Sequence, residues 1–517
     1  MTTPLITADS PFQTLSDLIR GYAQAQPEAL ALRDPNTTLS YAALNARMDQ
    51  VASALQRDGV TPGQCIAICA TSSVDYACLF LGALRAGVVV APLAPSVTPQ
   101  ILTGMLKDAQ ARLFFLDAAA RALVEPEMEK MPRIALDGSQ AGGAYTAWLA
   151  PAGSAPQAVS VRPEAAFNII YSSGTTGNPK GIVQPHGMRW MHMRRGLTYG
   201  YSPATRSLVS TPLYSNTTLV VVFPTLALGG CVIIMPKFNA AEYLKLAEQH
   251  RITHTMLVPV QYQRIMDCPD FDAKDLSSFQ VKFCTSAPFS AALKADVVQR
   301  WPGGLVEFYG MTEGGGTCIL NAHLHPDKLH TVGQPAEGHD IRLIDEAGHE
   351  LPAGSTGEVV GHSAAMMSGY YGQPEKTREA EWFDPTGRRF IRTGDVGRFD
   401  ADGFLTLMDR RKDMIISGGF NLYPSDLEAV LSQHPQVKEA AVVGVPSREW
   451  GETPVAYVVL RDGPPVSTQA LLQWYQQRVG KTQRLAALHL LTELPRSAIG
   501  KVLKRELRDM SQPDSAP

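Results

Sequence analysis

Two kinds of apolar run alternate along the chain from its start. VDYACLFLGALRAG, residues 74–87, reads as an apolar helix closed by Gly87, and VVVAPL, 88–93, follows as a buried strand. AAEYLKLAEQHR, 240–251, and THTMLVPV, 253–260, repeat that order. Such alternation predicts parallel sheets covered by helices, an α/β fold. From about residue 330 the pattern changes to short strands separated by turns, as in HDIRLIDEAGHELPAGSTGEVVG, 339–361, which predicts a small antiparallel unit. Beyond residue 412 come a helix (DLEAVLSQHP, 426–435), two strands (EAAVVGV, 439–445, and PVAYVVL, 454–460), a helix (QALLQWYQQRV, 469–479) and a strand (LHLL, 488–491). That last stretch, about one hundred residues, predicts an α+β domain of its own.

One segment has the length of a membrane span: TLVVVFPTLALGGCVIIMP, 218–236, carries no charge. Pro224 and the Gly229–Gly230 pair are read as breaking it into a short helix and the strand CVIIM. The N-terminus MTTPLITADSPF has neither the basic start nor the apolar core of a secretory signal, and the polar end SQPDSAP carries no anchor. A soluble, cytoplasmic protein with no membrane span is expected.

Bulk properties add little beyond exclusions. With 517 residues the chain exceeds what one core supports, so two or more domains are expected. A net charge of −3 and the lack of a long basic run give no nucleic-acid surface. Seven scattered cysteines are not a disulfide framework, and Cys65 and Cys69, without neighbouring histidines, are a poor zinc pair.

The chemistry concentrates in YSSGTTGNPKG, 171–181, which follows the soft linker LAPAGSAPQAVSVRP, 149–163, and the apolar AAFNII. A strand that ends in hydroxyls, glycines and one ammonium suits phosphate oxygens. It is not the common nucleotide P-loop, because Asn178 and Pro179 separate Gly177 from Lys180. Further along stand FYGMTEGGG (308–316), RTGDVGRFDADGF (392–404), DRRKDMIISGGFNLYPSDLE (409–428) and PRSAIGKVLKREL (495–507). In this order the chain resembles, over nearly its whole length, the adenylate-forming (AMP-binding) superfamily: acyl- and aryl-CoA ligases, such as those for chlorobenzoate, coumarate and fatty acids, with luciferases and peptide-synthetase adenylation domains.

The resemblance implies a large N-terminal domain, 1–411, of stacked βα subdomains plus a small β-rich subdomain, then a small mobile C-terminal domain, 412–517, hinged at Lys412. It implies ATP, Mg²⁺ and coenzyme A as cofactors, and a carboxylate joined first to the α-phosphate of ATP and then to a thiol. Both partners of the first step are anions, so their charge must be neutralised. By resemblance, Ser172, Ser173, Gly174, Thr175, Thr176, Gly177 and Lys180 cradle the β- and γ-phosphates. Glu313, with Thr176, holds the Mg²⁺, and Thr312 donates to the α-phosphate. Tyr309, with Gly310 and Met311 beside it, stacks on adenine, which Ser286, Ala287 and Pro288 also line. Asp395 takes the ribose diol, since a carboxylate accepts from two adjacent hydroxyls, and Arg410 reaches ribose or phosphate. Lys501 stabilises charge between the carboxylate and the α-phosphate. After rotation at Lys412, Gly418 and Gly419 leave room for pantetheine, with Trp450 near its tunnel and Arg484 in reach of a phosphate.

The acyl pocket is expected between the helix of GMRWMHMRRG (187–196) and the segment after Glu313. Trp190, Met193, Arg194 and Arg195 are candidate walls, Gly314, Gly315 and Gly316 the floor, Tyr214 and Leu257 apolar surface, and Ser215 and Asn216 polar contacts. Ser215 stands where many CoA ligases have His, and the segment lacks the Asp of amino-acid-activating relatives. The glycines and the missing ring predict room for a medium-sized acid, aromatic or cyclic, with a distal oxygen. Two alternatives stay open: loading of a carrier protein or an amine, and a non-catalytic ATP or acyl-AMP binder. A homodimer is also left open.

Overall fold

The computed structural model describes residues 5–171, 180–410, 413–417, 420–447, 450–463, 466–480, 483–497 and 500–511. They form two compact units, 1–340 with 361–391 and 341–360 with 392–517.

The first unit holds two mixed sheets. In one, the order is Gly369–Tyr370, Gly181–Pro185, Ala166–Tyr171, Val89–Pro92, Cys65–Cys69, Phe114–Leu116, Arg133–Ala135 and Gly143–Ala144. In the other it is Gln334–Pro335, Cys318–Asn321, Gly304–Tyr309, Val281–Cys284, His254–Leu257, Arg206–Val209, Cys231–Ile234, Leu30–Arg33 and Thr38–Ser40. The main core takes side chains from both sheets, such as Ile68, Val90, Val209 and Val232, and from the helices Tyr41–Arg57, Val74–Arg85 and Asn216–Ala227. The helix Val74–Arg85 shows why its run carries so little charge: every residue but Asp75 is buried, and Ser73 caps it through Tyr76 N at 3.1 Å. Its one buried cation, Arg85, is held by Asp49 at 2.7 Å and by Asn45 Oδ1 at 2.8 Å.

The segment 218–236 is a helix and a strand, as expected, but Pro224 does not break it. The helix runs from Asn216 to Ala227 with Pro224 inside, and Gly229, at φ +84°, ends it before the strand Cys231–Ile234. Burial along the segment outweighs the ~3 kcal/mol that an interior proline costs. Among the described residues no helix is long and apolar enough to cross a membrane.

In the second unit, Asp340–Ile344, Thr356–His362, Arg389–Phe399 and Leu405–Arg410 supply antiparallel strands, the turn-rich stretch read from sequence. Its other sheet runs Phe420–Leu422, Ile415–Ser417, Gly451–Leu460 and Val437–Ser447, with Ala487–Leu491 parallel to Gly451–Leu460. Apolar clusters lie around Leu427, Leu431 and Tyr475 and around Tyr457, Leu494 and Leu507.

Candidate active site

The loop 172–179, and with it Ser172, Ser173, Gly174, Thr175, Thr176 and Gly177, lies outside the described residues, as do Lys412, Gly418 and Gly419. Its two flanks are described. The strands Ala166–Tyr171 and Gly181–Pro185 pair antiparallel, with Tyr171 opposite Gly181 at the last point of the pairing. Lys180 stands at that point, its Nζ 4.7 Å from the centre of the Tyr370 ring.

Tyr370 ties Lys180 to the second motif. Its hydroxyl donates to Glu313 Oε1 at 2.9 Å, and Met367 N donates to the Glu313 carbonyl at 2.8 Å. Burial and the Glu313 carboxylate both push the Tyr370 hydroxyl up, so it stays a proton donor. The other side of the motif is anchored by Gln184, whose Nε2 donates to the Thr312 carbonyl at 2.7 Å and to Asn216 Oδ1 at 3.4 Å. Gln184 is itself buried beside Asn168 and Arg189. Lys180, Thr312, Glu313 and Asn216 are therefore brought together through two residues that the sequence reading missed, Tyr370 and Gln184. For Tyr370 a signal existed in the paired tyrosines of GYYGQP; for Gln184 none did, because one glutamine in a strand has no pattern.

Within 286–288, the segment expected to line adenine, Ser286 is in the left-handed region at φ +79°, and its Oγ meets Thr217 Oγ1 at 2.6 Å. A non-glycine residue held there is strained by about 1–3 kcal/mol, a feature that concentrates at ligand clamps. Ala287 and Pro288 follow it, half-buried and exposed. Tyr309 and Gly310 end the strand Gly304–Tyr309, next to the Val281–Cys284 strand that carries Ser286 at its own end. Met311 is half-buried against Ile182 and Tyr370.

The glycines after Glu313 are explained by close approach, not by an open floor. Gly314 and Gly315 have φ +78° and +79°. A Cβ on Gly314 would sit 2.0 Å from the Ala365 carbonyl oxygen, and one on Gly315 would sit 2.8 Å from that of Gly361. They therefore give no measure of pocket size. Trp190 and Met193 are core residues, Trp190 edge-on to Phe12 at 6.2 Å, and Leu257 is fully buried. Tyr214 is half-buried, and Ser215 is buried at the start of the helix Asn216–Ala227. Arg194 hydrogen-bonds the Ala8 carbonyl, while Arg195 lies over the Phe308 ring at 5.2 Å.

The second unit places its own residues as follows. Asp395 and Arg410 stand opposite each other in an antiparallel pair, and Asp395 N donates to Thr393 Oγ1 at 3.0 Å. Lys501 N donates to Ser497 Oγ at 3.2 Å, and its carbonyl accepts from Ser497 N at 2.8 Å, after Gly500 at φ +76°. Trp450 is exposed, and so is Arg484.

Removing the Tyr370 hydroxyl has a defined expected effect. Tyr370→Phe keeps the ring under Lys180 but frees Glu313, and a hydrogen bond to a charged group is worth ~1.5–3 kcal/mol. If Glu313 holds Mg²⁺ as the resemblance implies, adenylate formation should fall about ten- to a hundredfold, with a raised requirement for Mg²⁺, while melting changes little. An unchanged Mg²⁺ dependence would separate Tyr370 from the Glu313 carboxylate's work.

Comparison with known proteins gives the family. The family model "AMP-binding enzyme" matches residues 19–371, and "AMP-binding enzyme C-terminal domain" matches 426–501. A feruloyl-CoA synthase of an Amycolatopsis species is 33% identical over 94% of this chain and 96% of its own. A fatty acid–[acyl-carrier-protein] ligase, ScoC, of Streptomyces coeruleorubidus is 31% identical over 98% of each chain. The crystal structure of ATP-bound MatB from Rhodopseudomonas palustris superposes with a TM-score of 0.86 at 28% identity, over 96% of this chain and 99% of that one. With motifs, fold and both family models in agreement, the chain belongs to the AMP-binding enzymes, within the adenylate-forming acid–CoA ligase family.

Proposed function

We propose that the protein activates a medium-sized carboxylic acid, aromatic or cyclic or bearing a polar substituent, as its adenylate and transfers the acyl group to the thiol of coenzyme A. The observation that carries this reading is the tethering of the Thr312–Glu313 loop to Lys180 through Tyr370 on one side and to Asn216 through Gln184 on the other. In this reading one loop would join the phosphate side of the site to the acyl side.

In this reading Lys180 and the hydroxyls and amides of 172–177 neutralise the β- and γ-phosphates, so that a second anion can approach. Glu313, oriented by Tyr370 through one oxygen while its second has no partner among the described residues, would hold Mg²⁺ together with Thr176. When bound, that ion screens the phosphate charge. Thr312 would donate to the α-phosphate. Tyr309, Gly310 and Met311 with Ser286, Ala287 and Pro288 would hold adenine, the strained Ser286 turning its backbone toward the base. Asp395 and Arg410, already opposite each other in one strand pair, would take the ribose. Lys501 would meet the developing charge between carboxylate and phosphate. The chain would divide at Lys412, whose rotation would bring Gly418, Gly419 and Trp450 to coenzyme A for the second step.

The test is a panel of acids (acetate, hexanoate, palmitate, benzoate, and hydroxylated aryl or cycloalkyl acids) assayed for ATP–pyrophosphate exchange and for consumption of free coenzyme A. Exchange with aryl acids and stoichiometric thiol loss is expected. Exchange without thiol loss would move the acceptor to a carrier protein, as the name of ScoC states for that relative. A preference for acetate or palmitate would remove the substrate assignment and leave the reaction standing.

A further inference from the structure

The helix His186–Arg195 carries Arg189, His192 and Arg195 at every third position, along one side. Arg189 is fully buried with no carboxylate against it. Its Nε and one Nη donate to Asn168 Oδ1 at 3.1 and 3.0 Å, that same Nη reaches Gln184, and its other Nη has no partner among the described residues. His192 Nδ1 is likewise enclosed and unpartnered. Arg195 packs its guanidinium on the Phe308 ring at 5.2 Å. His339 joins the group from the far side, its Nδ1 accepting from Thr317 N at 3.0 Å, immediately beyond the glycine run.

These groups act on one another electrostatically. Burial, then Arg195, Arg189 and His339, push His192 well below its usual range, and burial and Arg195 push His339 to about 4. Arg195 is half-buried and is lowered by lost hydration; the groups facing it are the hydroxyls of Tyr199 and Tyr201 and the two histidine rings. At neutral pH the histidines are uncharged and the two arginines carry the charge. Among the described residues no carboxylate pairs with any of the four. Buried cations cost free energy unless an anion compensates them. Beside them Tyr199, Phe283 and Phe308 form an aromatic wall, with ring centres 5.1–5.7 Å apart.

We infer that the missing counter-ion is part of the substrate: an acid with a second, distal carboxylate that meets Arg195 and its neighbours at the end of the pocket remote from the reacting carboxyl. This rests on the ligase reading and adds the charge of the acid to it. An aryl spacer would lie on the Phe308 wall. Its far carboxylate would accept from Arg195 and from the N–H of a neutral histidine, and the open Nη of Arg189 would add positive potential. Loss of a charge-assisted contact of this kind amounts to about ten- to a hundredfold in affinity.

The test uses the full chain with ATP, Mg²⁺ and coenzyme A, and acids in twins differing by one group: benzoate and terephthalate, cinnamate and 4-carboxycinnamate, hexanoate and adipate. Pyrophosphate release is expected to show kcat/KM about tenfold or more higher for at least one diacid than for its monoacid twin. Arg195→Met should raise KM for that diacid by about tenfold or more with kcat changed far less, bring the diacid-to-monoacid ratio of kcat/KM down toward one, and be partly rescued by Arg195→Lys. Monoacids equal to or better than every diacid would overturn the inference, as would an Arg195→Met variant that affects both twins alike. A 4-hydroxy twin that outruns the diacid would overturn it too. Turnover of monoacids with all diacids refused sinks this inference alone, whereas no turnover with any acid removes the ligase reading and this inference with it. If Arg195→Met does not fold, the wild-type ratio between twins still decides.

Discussion

Lys501→Ala should lower ATP–pyrophosphate exchange by about two to three decades while thioester formation from supplied acyl-AMP and coenzyme A persists. The expectation follows from where charge develops. In the first step a carboxylate oxygen attacks a phosphorus that already bears anionic oxygens, and the Lys501 ammonium, in the proposed role, would stabilise the transition state more than the separated reactants. In the second step a thiol attacks the acyl carbon and AMP leaves with the bonding electrons; after the proposed rotation at Lys412 the Lys501 ammonium would no longer stand at that phosphate. The local structure suits so specific a task. Arg496 donates to the Gly500 carbonyl at 2.6 Å and pairs with Glu439, so the backbone before Lys501 is anchored on both sides. The alanine variant should therefore keep its fold, and its melting temperature is the control. Equal loss of both half-reactions in a folded variant would refute the division of labour between the steps.

Gly314→Ala is expected to cost most of the folded enzyme. Two penalties combine there. An L-residue at φ +78° is strained by about 1–3 kcal/mol wherever it occurs. In addition, the new methyl would stand 2.0 Å from the Ala365 oxygen and 2.9 Å from Met366 Cα, backbone atoms that cannot turn aside as a side chain could. Their displacement would carry away Met367 N, the donor to the Glu313 carbonyl. Gly138→Ala separates the penalties, because Gly138 has φ +71° with nothing within 4 Å of its would-be Cβ. Its variant should lose only the conformational term, about 1 kcal/mol, and keep full activity. Thermal melting and pyrophosphate exchange of both variants check this; comparable behaviour of the two would show that the close approach at Ala365 relaxes freely.

What could be read from the chain and what could not divide along the range of the forces involved. The helix Val74–Arg85 and the strand Val89–Pro92 were legible because their apolar runs are local and bounded by Ser73 and Gly87. The motifs around Glu313, Asp395 and Lys501 were legible as residue types at fixed spacing. The continuity of the helix through Pro224 was not, since the packing that outweighs the proline comes from distant elements. Nor was the reason for Gly314 and Gly315, whose neighbours are backbone about fifty residues later in the chain. On the helix His186–Arg195 the sequence points to Arg194 and Arg195 as pocket walls and passes over Arg189, which is the centre of a buried polar network, through partners that lie in two strands. Such partnerships exist only once the strands are paired.

The register of the second sheet sets a clock on biosynthesis. Leu32 is parallel to Val232, two hundred residues further on. At roughly 5–20 residues per second the ribosome needs on the order of ten to forty seconds to deliver that partner. Until then Leu30–Arg33 has only the short Thr38–Ser40 strand beside it, and a lone hairpin is marginal in water. The Tyr41 hydroxyl, destined for the carbonyls of Leu226 and Gly230 at 3.1 and 2.8 Å, waits as long. The segment around Leu30–Arg33 thus presents an open strand edge and unburied apolar side chains while those two hundred residues are made, and such an edge invites wrong pairing.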